Sequence, residues 1–497
     1  MTFPHSVIAS REAANQSPSD LRIGSSPKSL LATLAPHASA GVTLRYPGLW
    51  IGLFAFVVRL IIILNIPNGF SWDMGGWIET TKHIVVNGFQ NAYSKPLMGN
   101  LYPPGFFYPL WLTGQIYRAC CSPDFATDTP TLDFLMRLGP IIADSFIAIL
   151  VYRIALLWTE ARRALIAGIA YALNPAALTT TAWMSMIGDP YYLLPTLLSL
   201  FAALTRRFAW SAAFIVIAIL IKPQALAFAP LILFLILTMA KPRQALHALV
   251  AATVSGLLIL SPFIVAGKLD ELAQTVERMR GAFPFIHVWA DNAWYLLSGG
   301  QDPWDPLFPN GINPNGPPQP FDTNLFLGVI AYREIGLAAF GTLYLVMLYW
   351  LAGRANPKNA IAASALIALG FFILSTRMHE NYSFPVFALL SILCVSRDWR
   401  YVFLLIVTTG ANLVDWQIFD DFFANKSELL RLHMANSVVF VSTLAMLLLV
   451  ARADILREPR DLVILDTRVQ IVSPRFLIAL AAPLLLAALA FWAIFLR

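Results

Sequence analysis

Apolar runs of about 20 residues recur along this chain from residue 47 to its end, broken by short polar, basic or proline-containing stretches. Each run is long enough to cross a hydrocarbon core about 30 Å thick. The pattern predicts roughly thirteen helical spans. They lie near 47–66, 133–157, 164–183, 190–205, 209–221, 224–240, 245–265, 330–352, 359–376, 383–396, 401–416, 434–451 and 475–495. Residues 106–119 are also apolar, but a span there would break the alternation of loop charges. They read instead as a re-entrant or interfacial helix. The predicted fold class is an all-α polytopic membrane protein with two long extracytoplasmic loops, 67–132 and 266–329.

Composition agrees with the pattern. The chain is 58% hydrophobic and only 12% charged, about half the charge supply of a soluble globular protein. The net charge of +6 is spread in short clusters between apolar runs, which is how topology signals look, so no nucleic-acid partner is expected. Arg45, Arg162 and Arg163, Arg206 and Arg207, Lys241 and Arg243, Arg354 and Lys358, Arg397 and Arg400, and the stretch 452–468 share one side. The positive-inside rule makes that side cytoplasmic and places the N-terminus there. The first 45 residues, rich in Ser, Ala and Pro, read as a disordered cytoplasmic tail. Cys120, Cys121 and Cys394 have neither metal-ligand nor disulfide-framework spacing, so packing is their expected role.

The opposite face receives the loops that carry chemistry. "SWDMGGW" places Asp73 just beyond the first span, with Gly75 and Gly76 allowing close backbone approach. Asp73 suits a general base, and equally a helix cap within an aromatic belt. "STRMHENYSFP" sets Arg377, His379 and Glu380 within four positions. They suit anion binding or proton relay, or a boundary cap with Arg377 reaching headgroups. "IKPQALAFAP" holds Lys222 and Gln224 between apolar runs, where a lysine is costly unless it meets an anion or the interface. "SMIGDPYYLLP" opens a span on Asp189, which suits a helix N-terminus as well as a metal or substrate. "FPFIHVWADNAWYLL" interleaves aromatics with His287, Asp291 and Asn292, as a sugar-binding surface or an interfacial helix would. Two charges fall inside spans, Arg59 and Asp144, and are expected to pair with each other.

In this order the pieces resemble the GT-C superfamily of membrane glycosyltransferases, in particular bacterial relatives of the ALG6/ALG8 type and polyprenyl-phosphate-mannose-dependent mannosyltransferases. The likeness rests on "WDMGGW…NGF…Y…YPPGFFYPLW", "ILIKPQALAFAPLIL", "FPFIHVWADNAWYLL" and "TRMHENYSFPVFALL", and it runs from about residue 47 to 395. One motif departs: where such proteins often have Trp-Gly-Gln-x-Asp, this chain reads "AWMSMIGDPYY", with Trp183 and Asp189 further apart.

The resemblance implies a GT-C type bundle, with a catalytic region at 46–396 and further transmembrane helices at 397–497. It implies an inverting hexosyltransferase that uses a polyprenyl-phosphate-linked mannose or glucose and an extracytoplasmic acceptor. The enzyme would sit in the cell (inner) membrane, or in the endoplasmic reticulum of a eukaryote. Asp73 is then the catalytic base, Lys222, Arg377 and His379 hold the donor phosphate, and Tyr102, Asp189, Gln224, Glu380, Asn292 and Trp294 line the substrate. The resemblance fixes no cofactor, and a divalent Mg or Mn ion at Asp189 stays open. The rival reading is a transporter or lipid flippase using Asp144, Arg59 and Lys222. It should show repeated halves, and no internal repeat is visible.

Overall fold

The computed structural model describes residues 46–459 except 70, 124, 126–129, 301–320 and 424. The predicted tail 1–45 and the predicted span 475–495 lie outside the described residues. The elements are α1 (Pro47–Asn65), α2 (Ser71–Val86), α3 (Phe107–Cys120), α4 (Pro130–Ala155), α5 (Ala161–Ala172), α6 (Pro175–Leu178), α7 (Gly188–Leu204), α8 (Phe208–Ile221), α9 (Ala229–Met239), α10 (Pro242–Val265), α11 (Leu269–Gly281), α12 (Ala293–Ser298), α13 (Tyr332–Leu351), α14 (Pro357–Leu374), α15 (Pro385–Leu393), α16 (Trp399–Asp415) and α17 (Lys426–Arg457). Among the described residues the sheet content is one hairpin, β1 (Leu325–Phe326) against β2 (Ile330–Ala331).

The protein is an all-α membrane protein, and the described helices show the roughly thirteen predicted spans only in part. Six described helices are long and apolar enough to cross a membrane: α1, α4, α10, α13, α14 and most of α17. A seventh arises if α5 and the α6 segment, bent by 47°, form one span. Other predicted spans do hold helices, but short ones: α7 and α16 have 17 residues, α8 has 14 and α15 has 9. A crossing needs about 20 residues. Proline explains several of the breaks, because it lacks an N–H and cannot extend a helix N-terminally. Pro223 separates α8 from α9, and Pro385 starts α15. Residues 106–119 form α3, a 14-residue helix packed on α2 and α4. Cys120 and Cys121, expected only to pack, are joined to each other.

Burial sorts the helices. α14 is enclosed along nearly its whole length, from Asn359 to Ile373, and forms the centre of the main apolar core. α10 buries only Ala248 and Phe263 and exposes Leu246, Leu249, Val254, Leu257 and Leu258. An apolar helix exposed this way is one that meets lipid. α1 has one buried face, Gly48, Ile51, Gly52, Ala55, Arg59 and Ile63. Its glycines admit α4: a Cβ at Gly52 would lie 2.6 Å from the Ile149 side chain.

Within that contact Arg59 pairs with Asp144, both fully buried. Thr181 Oγ1 donates to Asp144 at 2.8 Å, the Tyr171 hydroxyl donates to its other oxygen, and Arg59 Nη1 donates to Ala172 O at 3.0 Å. The pair the sequence suggested is present, and it is a structural knot joining α1, α4 and α5.

Candidate functional site

Five separate stretches of the chain converge at one end of these helices. α2 begins immediately after α1 and carries Asp73 in its first turn. Tyr102 follows a short 3-10 turn, and its ring stacks on Phe106 at 4.1 Å. Gly105, next to Phe106, approaches the end of α8 so closely that a Cβ there would lie 2.5 Å from Leu220 O. That approach sets the first long loop against Lys222. Gly188 closes the other side: a Cβ on it would lie 3.2 Å from the Tyr102 ring and 3.5 Å from Lys222 Cδ. At Gly105 the neighbour is backbone and leaves no room for a side chain, whereas at Gly188 the fit is only tight.

Lys222 caps the C-terminal end of α8 in an extended conformation, ahead of Pro223. Its ammonium is buried and donates to Asp189 Oδ1 at 2.8 Å. It also lies 5.0 Å from the Tyr382 ring centre and 5.5 Å from that of Tyr192, within cation–π range. Asn381 Nδ2 donates to Asp189 Oδ2 at 2.7 Å. Both Asp189 oxygens are therefore engaged, one of them by a cation. Among the described residues no group of three His, Cys, Asp or Glu side chains is placed to hold a metal. A donor set facing an ammonium does not fit a divalent ion.

The segment between α14 and α15 supplies the rest. Burial holds the His379 imidazole neutral, lowering it to about 3, with Lys222 acting in the same direction. Burial raises the Glu380 carboxyl to about 8; its own backbone amide and Lys222 oppose this, and Asp73 and Asp189 add to it. Glu380 is thus protonated at neutral pH, and its Oε2 is buried with no hydrogen-bond partner. Burial also raises Asp73, to about 7, with Lys222 pulling it back. Tyr102 rises for the same reason, then through Tyr382, Asp189, Asp73 and Glu380.

The Asp73 carboxylate makes no hydrogen bond among the described residues, so the helix-cap alternative lacks its bond. An acid poised near 7 and free of partners can accept a proton from a bound hydroxyl.

Backbone strain gathers at the same place. Phe283, Trp289 and Arg377 all have positive φ, at 52°, 56° and 63°. Such conformations cost about 1–3 kcal/mol each and persist where surroundings enforce them. Phe283 and Trp289 set their rings 4.8 Å and 6.0 Å from the His379 ring. Main-chain bonds from Val288 to Met378 and from Arg377 to Ile286 tie the two segments together.

Of the sequence-nominated residues, the structure gathers Asp73, Tyr102, Asp189, Lys222, His379 and Glu380. Gln224 joins them through the Tyr382 hydroxyl. Three nominees are engaged elsewhere. Arg377 holds Asp322 with Nε at 2.5 Å and Nη2 at 2.9 Å. Asn292 caps α12 and donates to Phe372 O at 3.1 Å, while Trp294 Nε1 donates to Leu374 O at 2.9 Å. Both fasten α12 onto the end of α14.

Sequence reading missed Asn381, Tyr382, Asn412 and His433. Asn412 Nδ2 donates to Ser383 Oγ at 2.9 Å and to Glu380 O at 3.2 Å, steadying the turn. His433 bridges Asp291 at 2.7 Å and Asp420 at 3.2 Å, pinning α17 to the segment just ahead of α12. Their partners lie up to 192 positions away in the chain, so no local motif signals them.

The fold and site define a helical membrane protein with a water-poor cluster of acids, one lysine and a neutral imidazole at one helix end. No family model and no curated protein matches the chain. Solved structures similar to it in part include two from one archaeon. One is the Archaeoglobus fulgidus oligosaccharyltransferase in the apo form, at 16% identity and TM-score 0.41, over 83% of this chain and 56% of that one. The other is AglB from Archaeoglobus fulgidus with an inhibitory peptide and a dolichol-phosphate, at 13% identity and TM-score 0.38, over the same shares of 83% and 56%. The chain thus spans 56% of the length of each. At that level of similarity the site has to be read from its own geometry.

Proposed function

We propose that this protein is a GT-C type membrane glycosyltransferase that moves a hexose, mannose or glucose, from a polyprenyl-phosphate carrier to an extracytoplasmic acceptor. The observation that carries this reading is the free, half-buried Asp73 carboxylate, raised to about 7, beside Lys222 and a protonated Glu380. Asp73 takes the proton from an acceptor hydroxyl as its oxygen bonds to the anomeric carbon. The bond from that carbon to the phosphate oxygen breaks, and the phosphate leaves with the electron pair. Single displacement inverts the anomeric configuration. The Glu380 hydroxyl and the His379 N–H are neutral donors for sugar or phosphate oxygens, in a site where burial strengthens each contact. Lys222 supplies the nearby positive charge, and Asp189 and Asn381 hold it in place. The aromatic rings of Tyr102, Phe283, Trp289 and Tyr382 offer faces to a sugar.

The test uses purified protein in liposomes with a panel of polyprenyl-phosphate hexoses across a pH series. Transfer should appear with one hexose and follow a bell-shaped profile. Asp73 must lose its proton to act, so the rate rises through about pH 7. Glu380 must keep its proton to donate, so the rate falls above about pH 8. The two limbs belong to the interacting pair rather than to either residue alone. Donor crossing the bilayer with no sugar transferred would favour a flippase and sink the proposal.

A further inference from the structure

One arginine near the site is ion-paired yet leaves part of its guanidinium unengaged. Lys222 is neutralised by Asp189, Arg377 by Asp322, and His379 carries no charge. Arg280, in the last turn of α11, is different. Its side chain is 8% exposed, and only Nη1 has a partner, Glu277 at 2.5 Å. Nε and Nη2 are buried and make no hydrogen bond.

Those two atoms form one edge of the guanidinium, the edge that takes two oxygens of a single carboxylate or phosphate side by side. Arg377 uses the same edge, Nε and Nη2, to hold Asp322. Two neighbouring arginines thus present the same fork, one filled and one open.

Position links Arg280 to the reaction site. The Arg377 guanidinium donates to the Arg280 carbonyl, and Arg377 lies two residues before His379. Phe283, three residues after Arg280, packs against the His379 ring. Arg333, whose amide donates to Asp322 O at 2.9 Å, also has an unpartnered Nε. Arg377 and Arg333 thus both reach Asp322, Arg377 also reaches the Arg280 carbonyl, and the acid paired with Arg280, Glu277, is itself 68% exposed. Burying a guanidinium edge without partners is costly, and a bound oxyanion removes that cost.

We infer that Arg280 grips the phosphate of the lipid-linked donor through its Nε and Nη2 edge. The inference rests on the glycosyl-transfer reading for the identity of the lipid, but the anion site can be tested without transfer. The probes are a short-chain polyprenyl phosphate bearing no sugar, and inorganic phosphate. Retention of radiolabelled prenyl phosphate by detergent-solubilised protein gives the affinity. Arg280→Gln should weaken binding at least tenfold while leaving the thermal unfolding midpoint near wild type. Arg280→Lys keeps the charge but not the fork, should also weaken binding, and serves if the Gln variant does not fold. Glu277→Gln, which removes the negative charge beside Arg280, should bind prenyl phosphate at least as tightly as wild type.

Equal prenyl phosphate binding by wild type and both Arg280 variants overturns the inference. Equal affinity for inorganic phosphate and prenyl phosphate overturns the lipid assignment. Arg280-dependent binding without transfer from any donor would keep the anion site and remove the enzyme. Transfer with unchanged donor KM and unchanged prenyl phosphate binding in Arg280→Gln would do the reverse.

Discussion

Asp73→Asn is expected to lower sugar transfer by about 10²–10⁴-fold, the range a positioned general base contributes. Asparagine keeps the shape of the side chain and removes only its ability to take a proton. The substitution should fold normally, because the Asp73 carboxylate makes no hydrogen bond among the described residues and draws only a long-range pull from Lys222. Donor binding should therefore survive, with the loss falling on kcat and the rising limb near pH 7 disappearing from the residual rate. Steady-state kinetics of the two proteins, with circular dichroism to compare their folds, makes the check. An Asp73→Asn protein of wild-type rate would remove Asp73 from the base role.

The second large effect is on stability. Arg59→Met is expected to destabilise the protein by about 3–5 kcal/mol, because it strands a buried Asp144 carboxylate. Thr181 and Tyr171 would still donate to that carboxylate, but neither carries charge. Adding Asp144→Leu should recover much of the loss, leaving mainly the Tyr171 hydroxyl without an acceptor, at about 1–3 kcal/mol. Thr181 loses less, since its hydroxyl also reaches Ala177 O at 2.9 Å. Thermal midpoints of the single and double variants in detergent decide it: a double variant as unstable as the two single losses added together would show that the charges do not act as a pair.

The sequence disclosed the kind of protein because long apolar runs have few other uses. It disclosed much of the site because charged residues are expensive near a membrane and must have a reason to be there. Asp73, Lys222, Asp189, His379 and Glu380 stood out for that reason, and they do meet. What it did not disclose depends on pairing across distance. Arg377 reads as a free cation until Asp322, 55 positions earlier, is seen in its fork. Asn292 and Trp294 look like ligand groups beside aromatics, yet their partners are carbonyls at the end of α14. Arg280 lies in a polar stretch, "LAQTVERMRG", where an arginine carries no signal; its burial and its open edge exist only in the fold. The span count is shown only in part among the described residues. Hydropathy registers apolar length, whereas the prolines at 223 and 385 cut that length into shorter helices.

The central claim is a single displacement on a lipid-linked sugar, driven by one carboxylate. Its most direct test is the anomeric configuration of the product formed by the wild-type protein from a polyprenyl-phosphate hexose of known configuration, read by proton NMR coupling at the anomeric carbon. Every transferred sugar is expected to be inverted. A product that retains the donor's configuration would require a second displacement, for which the site offers no role to Asp73 as drawn, and would contradict the account.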